Sequence, residues 1–364
     1  MPVRCLHDIA ASLITEKNGM KIVMLGAGGF IGSNLVENLL GCSEHHIVGV
    51  DRDYDKLPEV LAPLSDEARS RWTFHDADIR TSMPLLRDII RQSDVVVDLI
   101  AHANPSMYVT RPLDVFELNF TQNLEIARMC IEEKKWLIQF SSAEVYGKSQ
   151  SKTPYTEDAS DSVFGPVSKQ RWIYAVGKQL LERVLYAHGD SGDLHYTIVR
   201  PFNFLGPRID YLVPPGATGG PRVFPHFMSA LLSGGPIRLV DGGHARRAFL
   251  HVADGVSAFR TLLANPDKTH NQIYNVGNPA NQVTVAELAN LMSSLFEELT
   301  GSPSMSAIET MSGEEFYGVG YEDSDREPPD ISKMRGLGWK PSRDLEQTVR
   351  DAMIYYLGER VRAL

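Results

Sequence analysis

Short runs of apolar residues alternate along this chain with longer stretches in which apolar residues recur every three or four positions. The short runs predict strands, and because several are apolar at nearly every position, they are typical of parallel strands buried on both faces of a sheet. The longer stretches predict helices. Predicted strands cover 21–25, 47–50, 72–75, 94–100, 136–140, 195–200 and 273–277, and predicted helices cover 33–40, 117–133, 171–188 and 285–298. This alternation predicts an α/β fold with a doubly wound parallel sheet.

A glycine-rich turn separates the first predicted strand from the first predicted helix. Gly26, Gly29 and Gly32 have a G-x-x-G-x-x-G spacing there. Glycines allow a backbone to approach a pyrophosphate, and the N-terminus of the following helix then faces its negative charge. Asp51 ends the second strand, where an acidic residue accepts hydrogen bonds from an adenosine ribose, which favours NAD over NADP. A glycine turn in an unrelated α/β unit is the alternative.

Tyr174 and Lys178 are four residues apart in a predicted helix and therefore lie on one face of it. The Lys178 ammonium is expected to lower the pKa of Tyr174, so that the phenolate can accept a hydroxyl proton while a hydride leaves the same carbon. Ser142 and Glu144 follow a predicted strand, at the edge of a parallel sheet where ligands bind. We expect Ser142 to hydrogen-bond a substrate hydroxyl and Glu144 to serve as a second acid or base. The alternatives are a solvated helix surface for the first pair and a turn or helix cap for the second.

The charge of the chain restricts its partners. A formal net charge of −10 argues against a nucleic-acid binder, and it means that an anionic substrate needs local arginines rather than bulk attraction. Arg222, Arg238 and Arg247 form a dispersed set that we expect to converge on a diphosphate. Taken separately, each is an ordinary surface arginine.

Cysteine content and hydropathy indicate the compartment. Cys5, Cys42 and Cys130 are odd in number and widely separated, which fits neither a disulfide framework nor a metal site and favours a reducing cytoplasm. No apolar run approaches the roughly 18 residues that a membrane span needs, so no membrane association is predicted. We interpret residues 1–19 as a loose leader, because their short apolar run is soon followed by charges.

With 364 residues, the chain is expected to form two domains. Residues 20–200 are predicted to form the NAD-binding domain, to which the chain returns near 249–277. Residues 201–248 and 278–364 are predicted to form mainly a smaller C-terminal α/β substrate-binding domain. The apolar surface of the helix 171–188 is wider than one stripe, which predicts a homodimer; a helix buried within one chain is the alternative. His102 is interpreted as structural or solvated.

Four groups of residues together resemble the extended short-chain dehydrogenases/reductases, the NAD-dependent epimerase/dehydratase family that acts on nucleotide sugars. These groups are Gly26-x-x-Gly29-x-x-Gly32, Ser142, Tyr174-x-x-x-Lys178 and Arg200-Pro-Phe-Asn203. Longer stretches, including 170–180 and 316–321, are similar to the UDP-glucuronate decarboxylase domain of the bifunctional polymyxin-resistance protein and to UDP-apiose/UDP-xylose synthase. The resemblance covers about residues 20–357 and implies a Rossmann-type fold with NAD as the cofactor.

The resemblance also implies a reaction and a set of binding residues. Hydride passes from sugar C4 to NAD while Tyr174 takes the hydroxyl proton, with Ser142 and Lys178 in support. In the decarboxylating relatives the C6 carboxylate then leaves as CO₂, because the ketone β to it holds the electrons. The implied cofactor-binding residues are Gly26, Gly29, Phe30, Ile31, Gly32, Asp51, Asp78, Ile79, Ala101, Asn119, Tyr174 and Lys178. The implied substrate-binding residues are Asn203, Arg208, Arg222, Arg238, Arg247 and Arg326.

Three departures from the relatives leave the step after oxidation open. Ala143 replaces a Ser or Cys of the relatives, and Ala103 replaces a Cys of the apiose enzyme, which weighs against apiose formation. The relatives also place an Arg two residues before the Pro that matches Pro329, where this chain has Glu327, with Arg326 one position earlier. Either Arg326 meets the substrate carboxylate instead, or the substrate has no carboxylate at C5.

Three functions therefore compete. The first is an enzyme that oxidises C4 of UDP-glucuronate and decarboxylates it. The second keeps the oxidation but ends in epimerisation or dehydration of a UDP-hexuronate or another nucleotide sugar. The third, a non-catalytic NAD-binding regulator, is disfavoured because Tyr174 and Lys178 are both present.

Overall fold

The computed structural model describes residues 19–149, 151–214, 216–220, 222–323 and 326–362. Nearly all of the predicted leader lies outside these residues. The strands are β1 (Lys21–Leu25), β2 (His46–Asp51), β3 (Trp72–Asp76), β4 (Val95–Asp98), β5 (Trp136–Phe140), β6 (Tyr196–Pro201), β7 (Phe204–Leu205), β8 (Ile237–Val240), β9 (Arg246–Ala248), β10 (Leu250–His251), β11 (Gln272–Val276), β12 (Gln282–Thr284) and β13 (Ile308–Met311).

Helices cover most of the chain between these strands. They are α1 (Phe30–Cys42), α2 (Leu57–Leu61), α3 (Asp66–Ser70), α4 (Met83–Arg91), α5 (Pro105–Thr110), α6 (Pro112–Phe116), α7 (Asn123–Glu132), α8 (Ile173–Asp190), α9 (Val223–Ser233), α10 (Val252–Leu263), α11 (Pro266–Thr269), α12 (Val285–Thr300), α13 (Gly313–Tyr317), α14 (Ser332–Gly336) and α15 (Leu345–Arg362). In the part of the chain that the structure describes, no helix combines the length and the apolar character that crossing a bilayer requires.

Seven parallel strands form the central sheet in the order β11–β6–β5–β4–β1–β2–β3. The first strand, β1, thus lies inside the sheet. The chain then adds β2 and β3 on one side of β1 and continues with β4 on the other side. This reversal creates a crevice at the carboxyl ends of β1 and β4, which is where ligands bind in open α/β sheets. The doubly wound parallel sheet predicted from the alternation of strands and helices is confirmed, as is the Rossmann-type fold that the resemblance implied.

Both faces of the sheet are covered, which explains why its strands are apolar at consecutive positions. Ile22 and Met24 of β1 belong to one hydrophobic cluster, whereas Val23 and Leu25 belong to the cluster on the opposite face. The second cluster includes side chains of α4, α7 and α8. The first extends from the sheet through α10 to α9, β8 and α12, so the segments predicted to bind substrate share a core with the sheet. The division of the chain into two domains stays a prediction.

Two helix boundaries differ from the predicted ones in ways that matter for the site. α1 begins at Phe30, three residues early, because Gly29 is extended and the helix starts inside the glycine turn. The predicted helix 171–188 opens with a 3₁₀ turn at Gln170–Trp172, and α8 begins only at Ile173. Tyr174 therefore lies in the first turn of α8, and Arg171 precedes the helix.

Candidate active site

A cavity of 520 Å³ lies at the carboxyl ends of β1, β4, β5 and β6. Many of the predicted site residues line it, although they come from distant parts of the sequence. They are Gly26, Gly29, Phe30, Ile31, Gly32, Ala101, Ser142, Glu144, Tyr174, Asn203, Arg222, Arg238, Arg247 and Arg326. Asp51, Asp78, Ile79, Asn119, Lys178 and Arg208 do not line this cavity.

The glycine turn forms one wall of the cavity and has the shape that a pyrophosphate needs. Gly26 has φ +85°, and its N–H donates to the carbonyl of Val50 at 2.9 Å. A Cβ at Gly32 would lie 2.2 Å from the carbonyl oxygen of Gly26, so only glycine permits α1 to start this close to the turn. The first N–H groups of α1 have no partner within the helix and carry its positive dipole end. These residues fit a dinucleotide phosphate at this position.

Asp51 braces the same turn from the end of β2. Its Oδ2 accepts the N–H of Gly28 at 2.8 Å, and its Oδ1 accepts the N–H groups of Arg52 and Asp53. Burial raises the pKa of Asp51, and these three hydrogen bonds oppose that rise. The carboxylate thus fixes the turn, and its contact with a ribose stays a prediction.

Three other predicted cofactor residues have protein partners of their own. The carboxylate of Asp78 accepts hydrogen bonds from Arg80, and these chiefly hold its pKa at about 2. Ile79 is buried in the hydrophobic cluster beneath the sheet. Asn119 lies in a π-helical turn, Glu117–Gln122, where its amide accepts the backbone N–H of His102 at 2.7 Å and donates to its carbonyl at 3.2 Å. Asn119 therefore fixes the backbone of the loop after β4, which lines the cavity.

Ser142, Tyr174 and Lys178 come together where β5 meets α8. Ser142 caps a 3₁₀ turn by accepting the N–H of Glu144 at 3.1 Å, and its hydroxyl also hydrogen-bonds Tyr174. Lys178 lies one helical turn behind Tyr174, with 1% of its surface exposed, and its Nζ donates to the carbonyl of Phe140 at 3.1 Å. Tyr174 and Lys178 lie on one face of α8, as their four-residue spacing predicted, but only Tyr174 lines the cavity.

The expected lowering of the Tyr174 pKa is wrong for the protein alone. Burial raises the pKa of Tyr174 to about 12, and the hydrogen bond with Ser142 and the positive charges of Arg222 and Arg326 only partly oppose it. Burial also lowers the pKa of Lys178. The spacing of the two residues gave no information about desolvation, which disfavours the charged form of each group.

Glu144 is held between two buried guanidinium groups. Arg171 donates to its Oε2 at 3.1 Å, and Arg326 donates to its Oε1. Burial disfavours the carboxylate, but the charges of Arg171 and Arg326 outweigh that effect and hold the pKa of Glu144 at about 2. A carboxylate with this pKa is ionised at neutral pH, so Glu144 is unsuited to the predicted acid role and instead fixes two arginines beside the cavity.

The predicted diphosphate arginines line the cavity with different partners. Arg222 donates to Asp210 at 3.0 Å, Arg247 pairs with Asp323, and Arg238 donates to the backbone carbonyl of Gly216 at 2.7 Å. The cavity is therefore lined by three guanidinium groups, and Asp210 and Asp323 partner two of them. An incoming phosphate would compete with Asp210 for the guanidinium of Arg222 and with Asp323 for that of Arg247.

Arg208 and Asn203 were both predicted to bind substrate, but only Asn203 lines the cavity. Arg208 is buried away from the cavity, where it pairs with Glu37 and with the side-chain oxygen of Asn34, both on α1. Asn203 lines the cavity in a left-handed conformation with φ +35°, and its amide donates to the carbonyl of Ala248 at 3.3 Å. The geometry favours a role in ligand contact for Asn203, and a role in holding α1 for Arg208.

Arg326 and Glu327 are neighbours in the sequence but have different surroundings. Arg326 lines the cavity, whereas Glu327 does not line it and accepts a hydrogen bond from the hydroxyl of Ser149 at 2.9 Å. Of the two residues, only Arg326 is therefore placed to meet a substrate carboxylate. Matching positions along the sequence could not show which of these neighbours faces the cavity.

Sequence reasoning gave no role to Tyr108 and no firm one to Arg171, although both line the cavity. The ring of Tyr108, from α5, stacks on that of Tyr174 with centroids 4.7 Å apart and planes 12° apart. Only their place in the stretches that resemble the family hinted at either residue. No local pattern could have joined two tyrosines that are 66 positions apart.

Comparisons with known proteins agree with this geometry. Residues 22–277 match the model of the NAD dependent epimerase/dehydratase family. UDP-D-apiose/UDP-D-xylose synthase of Oryza sativa subsp. japonica is 38% identical over 354 residues, which cover 92% of this chain and 89% of the rice protein. UDP-D-apiose/UDP-D-xylose synthase 2 of Arabidopsis thaliana is 39% identical, covering 92% and 91%. The crystal structure of the PbgP3 protein from Burkholderia pseudomallei is similar with a TM-score of 0.82 and 32% identity, covering 95% of this chain and 98% of that one.

Proposed function

The chain belongs to the NAD-dependent epimerase/dehydratase family and uses NAD, and from this premise we propose that it oxidises C4 of UDP-glucuronate and then releases C6 as CO₂. The observation that carries the proposal is the placement of Tyr174, Ser142 and Arg326 around one cavity. A base for the C4 hydroxyl and a cation for the C6 carboxylate are the two groups that this reaction requires. The product is a UDP-4-keto-pentose, or a UDP-xylose-type sugar if the hydride returns to C4.

Oxidation depends on Tyr174. Its oxygen accepts the proton of the C4 hydroxyl, and Ser142, already hydrogen-bonded to Tyr174, orients that hydroxyl. NAD, when bound, supplies the positively charged ring that accepts the C4 hydride. Because burial raises the pKa of Tyr174 to about 12, neighbouring positive charge is needed before the phenolate forms near neutral pH. Lys178, buried one turn behind, supplies part of that charge.

Decarboxylation follows from the ketone at C4. The C5–C6 bond breaks, its electron pair moves toward the C4 oxygen, and CO₂ leaves; a proton then adds to C5. Arg326 binds the C6 carboxylate before the bond breaks. Glu144 takes no part in proton transfer but holds Arg326 and Arg171 in place, since it remains ionised between them.

Three further arginines that line the cavity hold the nucleotide. Arg222, Arg238 and Arg247 bind the diphosphate, and Asn203 contacts the substrate from the loop after β6. UDP is the nucleotide named for the plant synthases that are similar over nearly the whole chain. Asp210 and Asp323 hold two of the arginines until the phosphates replace them.

A second candidate keeps the oxidation but omits the loss of CO₂. Ala143 lines the cavity next to Ser142 and has no hydroxyl or thiol. If decarboxylation needs a polar group at that position, the reaction ends in C4 epimerisation or 4,6-dehydration. The substrate is then a UDP-hexuronate or another nucleotide sugar.

Incubating the purified protein with UDP-glucuronate, and separately with UDP-glucose, distinguishes the candidates. We expect a product lighter by the mass of CO₂ from UDP-glucuronate, accompanied by NADH absorbance if the ketone is released. An isomer of unchanged mass would support epimerisation, and loss of water would support dehydration. Failure to turn over UDP-glucuronate would contradict the first candidate, and failure to turn over any nucleotide sugar of a wider panel would contradict the second.

Tyr174→Phe is expected to lower kcat by at least about 100-fold, because the general base is removed while the buried ring is kept. Tyr186→Phe is the matched control, since Tyr186 lies on the same helix with its side chain exposed. Turnover is followed by mass spectrometry, and thermal unfolding checks that both variants fold. Activity of Tyr174→Phe near the parent value would contradict the proposed base.

We also place the enzyme in the cytoplasm as a homodimer. Val176 and Leu180, four residues apart on α8, are 41% and 42% exposed, and Leu113 and Phe116 of the neighbouring α6 are exposed too. Apolar side chains grouped on two contacting helices favour burial against a second copy. The cysteines are few and widely separated, with Cys42 at the end of α1 and Cys130 on α7, which suits a reducing compartment.

A further inference from the structure

Asp98 is a fully buried carboxylate that the proposed reaction does not use. It ends β4 with none of its surface exposed. Its Oδ1 accepts the N–H of Ile100 at 2.9 Å, whereas its Oδ2 has no hydrogen-bond partner among the described residues. A buried carboxylate with one unpaired oxygen is costly unless a positive charge lies near.

The fold directs Asp98 toward Lys178. Side chains of β4 alternate between the two faces of the sheet: Val95 and Val97 join one hydrophobic cluster and Val96 joins the other. Asp98 therefore shares the face of Val96, which α7 and α8 cover. Lys178 is equally buried on α8, so a negative and a positive group are enclosed in the same layer.

Glu182, one turn beyond Lys178 on α8, is the other carboxylate that favours the charged form of Lys178. It accepts two hydrogen bonds from Arg200 of β6, at 3.0 and 2.6 Å, so its charge is shared with that guanidinium. The other polar groups that face Asp98 are the Gln139 side chain of β5 and the Cys130 thiol of α7, whose pKa burial raises. Asp98 therefore provides the larger of the two negative charges acting on Lys178.

We propose that Asp98 is a positioning residue whose negative charge keeps Lys178 protonated in the core and thereby sets the pH range in which Tyr174 accepts a proton. This inference rests on the proposed roles of Tyr174 and Lys178. Burial disfavours the charged form of each partner, and each favours the charge of the other. The two groups make no direct hydrogen bond in the described structure, so they interact through the weakly polarisable interior between them.

Asp98→Asn removes the charge and preserves the shape and the bond from Ile100. Lys178 then loses its proton at lower pH, Tyr174 loses a neighbouring cation, and its pKa rises by about one unit, which is tenfold in proton affinity. The first measurement is the ultraviolet absorbance of tyrosinate against pH in NAD-saturated protein, taken as the difference from the same protein with Tyr174→Phe. The second is kcat against pH, whose rising limb should move by the same amount toward higher pH.

Two controls separate this shift of the Tyr174 pKa from a general disturbance of the fold. Asp94→Asn removes an exposed acid just before the same strand and should leave the Tyr174 titration unchanged. In a Lys178→Met background, Asp98→Asn should no longer shift Tyr174, because the effect acts through the ammonium. An unchanged or lowered Tyr174 pKa in Asp98→Asn, or a shift that persists in Lys178→Met, would overturn the proposal.

Unfolding measurements test the same pair without catalysis. Lys178→Met leaves Asp98 without a counter-charge, so we expect lower stability that recovers in the double variant Asp98→Asn/Lys178→Met. Additive effects in this cycle would overturn the proposal. If Asp98→Asn alone fails to fold, a double variant that is no more stable than Lys178→Met would overturn it instead. If neither UDP-glucuronate nor UDP-glucose is turned over, the proposed function fails, while the tyrosinate titration and the cycle still decide the role of Asp98.

Discussion

The phenol of Tyr174 lies flat against the ring of Tyr108, and both rings are buried. Ser142 holds the oxygen of Tyr174, so the ring and the oxygen are positioned by different elements. A base that must meet one hydroxyl proton needs this restriction, because small displacements of reacting groups are costly in rate. Tyr108 is therefore expected to affect the rate more through its ring than through its hydroxyl.

Tyr108→Leu is predicted to lower kcat about tenfold, in line with the energy of a stacked aromatic pair, whereas Tyr108→Phe keeps the ring and should stay within about twofold of the parent. The comparison uses initial rates on UDP-glucuronate at saturating substrate. A larger loss in Tyr108→Phe than in Tyr108→Leu would show that the hydroxyl, through a substrate contact, matters more than the stacking.

Helix α8 performs two tasks with one buried face. Along this face Tyr174 and Lys178 serve the active site, and Leu181 and Leu185 pack into the hydrophobic cluster between α8 and the sheet. Val176 and Leu180 remain exposed on a further side. This exposed apolar side of α8, which the wide apolar surface in the sequence predicted, is the basis of the proposed homodimer.

Leu180→Glu is predicted to convert a dimer into a monomer, because it would bury a charge in an apolar interface. Sedimentation velocity at micromolar concentration measures the change. Ile308→Glu is a suitable control, since Ile308 of β13 is similarly exposed at 48% but lies on another element. A parent protein that sediments as a monomer would contradict the proposed homodimer.

Asp254 connects the C-terminal part of the molecule to the helices that cover the sheet. It lies buried on α10, and its two oxygens accept hydrogen bonds from the backbone and side chains of Ser342 and Arg343. Nearby, the indole of Trp339 donates to the hydroxyl of Ser257 at 2.9 Å. The segment before α15 is thus fixed to α10 by buried polar contacts as well as by the shared core.

Asp254→Ala is predicted to lower the free energy of unfolding by about 3 kcal/mol, because Arg343 and two backbone groups lose a buried partner. Urea denaturation measures the change, with Asp267→Ala as a control because Asp267 is exposed. A loss below about 0.5 kcal/mol, typical of a surface substitution, would show that the contacts around Asp254 contribute little.

Local patterns were sufficient for the seven strands of the central sheet, for their parallel arrangement and for the glycine turn, because each depends on residues that are close in sequence. The pairing of Tyr174 with Lys178 also followed from helix geometry. Asn119 and Arg208 show where such reasoning stopped. Each has its polar groups directed to a partner far along the chain, His102 in one case and Glu37 in the other. Their resemblance to family positions could not reveal those partners.

The alternation of apolar runs and the spacing of a few glycines predicted an α/β fold with a site for NAD. The resemblance of these motifs, together with Tyr174 and Lys178, to the epimerase/dehydratase family predicted the class of enzyme. Only the tertiary structure showed which residues from distant segments meet. It places the Glu144 carboxylate between Arg171 and Arg326, and the ring of Tyr108 against that of Tyr174. It also encloses Asp98 and Lys178 in the same layer. Burial also reversed the expected direction of the Tyr174 pKa shift. The physical reason is that charge interactions and desolvation depend on the surroundings of a group, and those surroundings are assembled from segments that the chain keeps far apart.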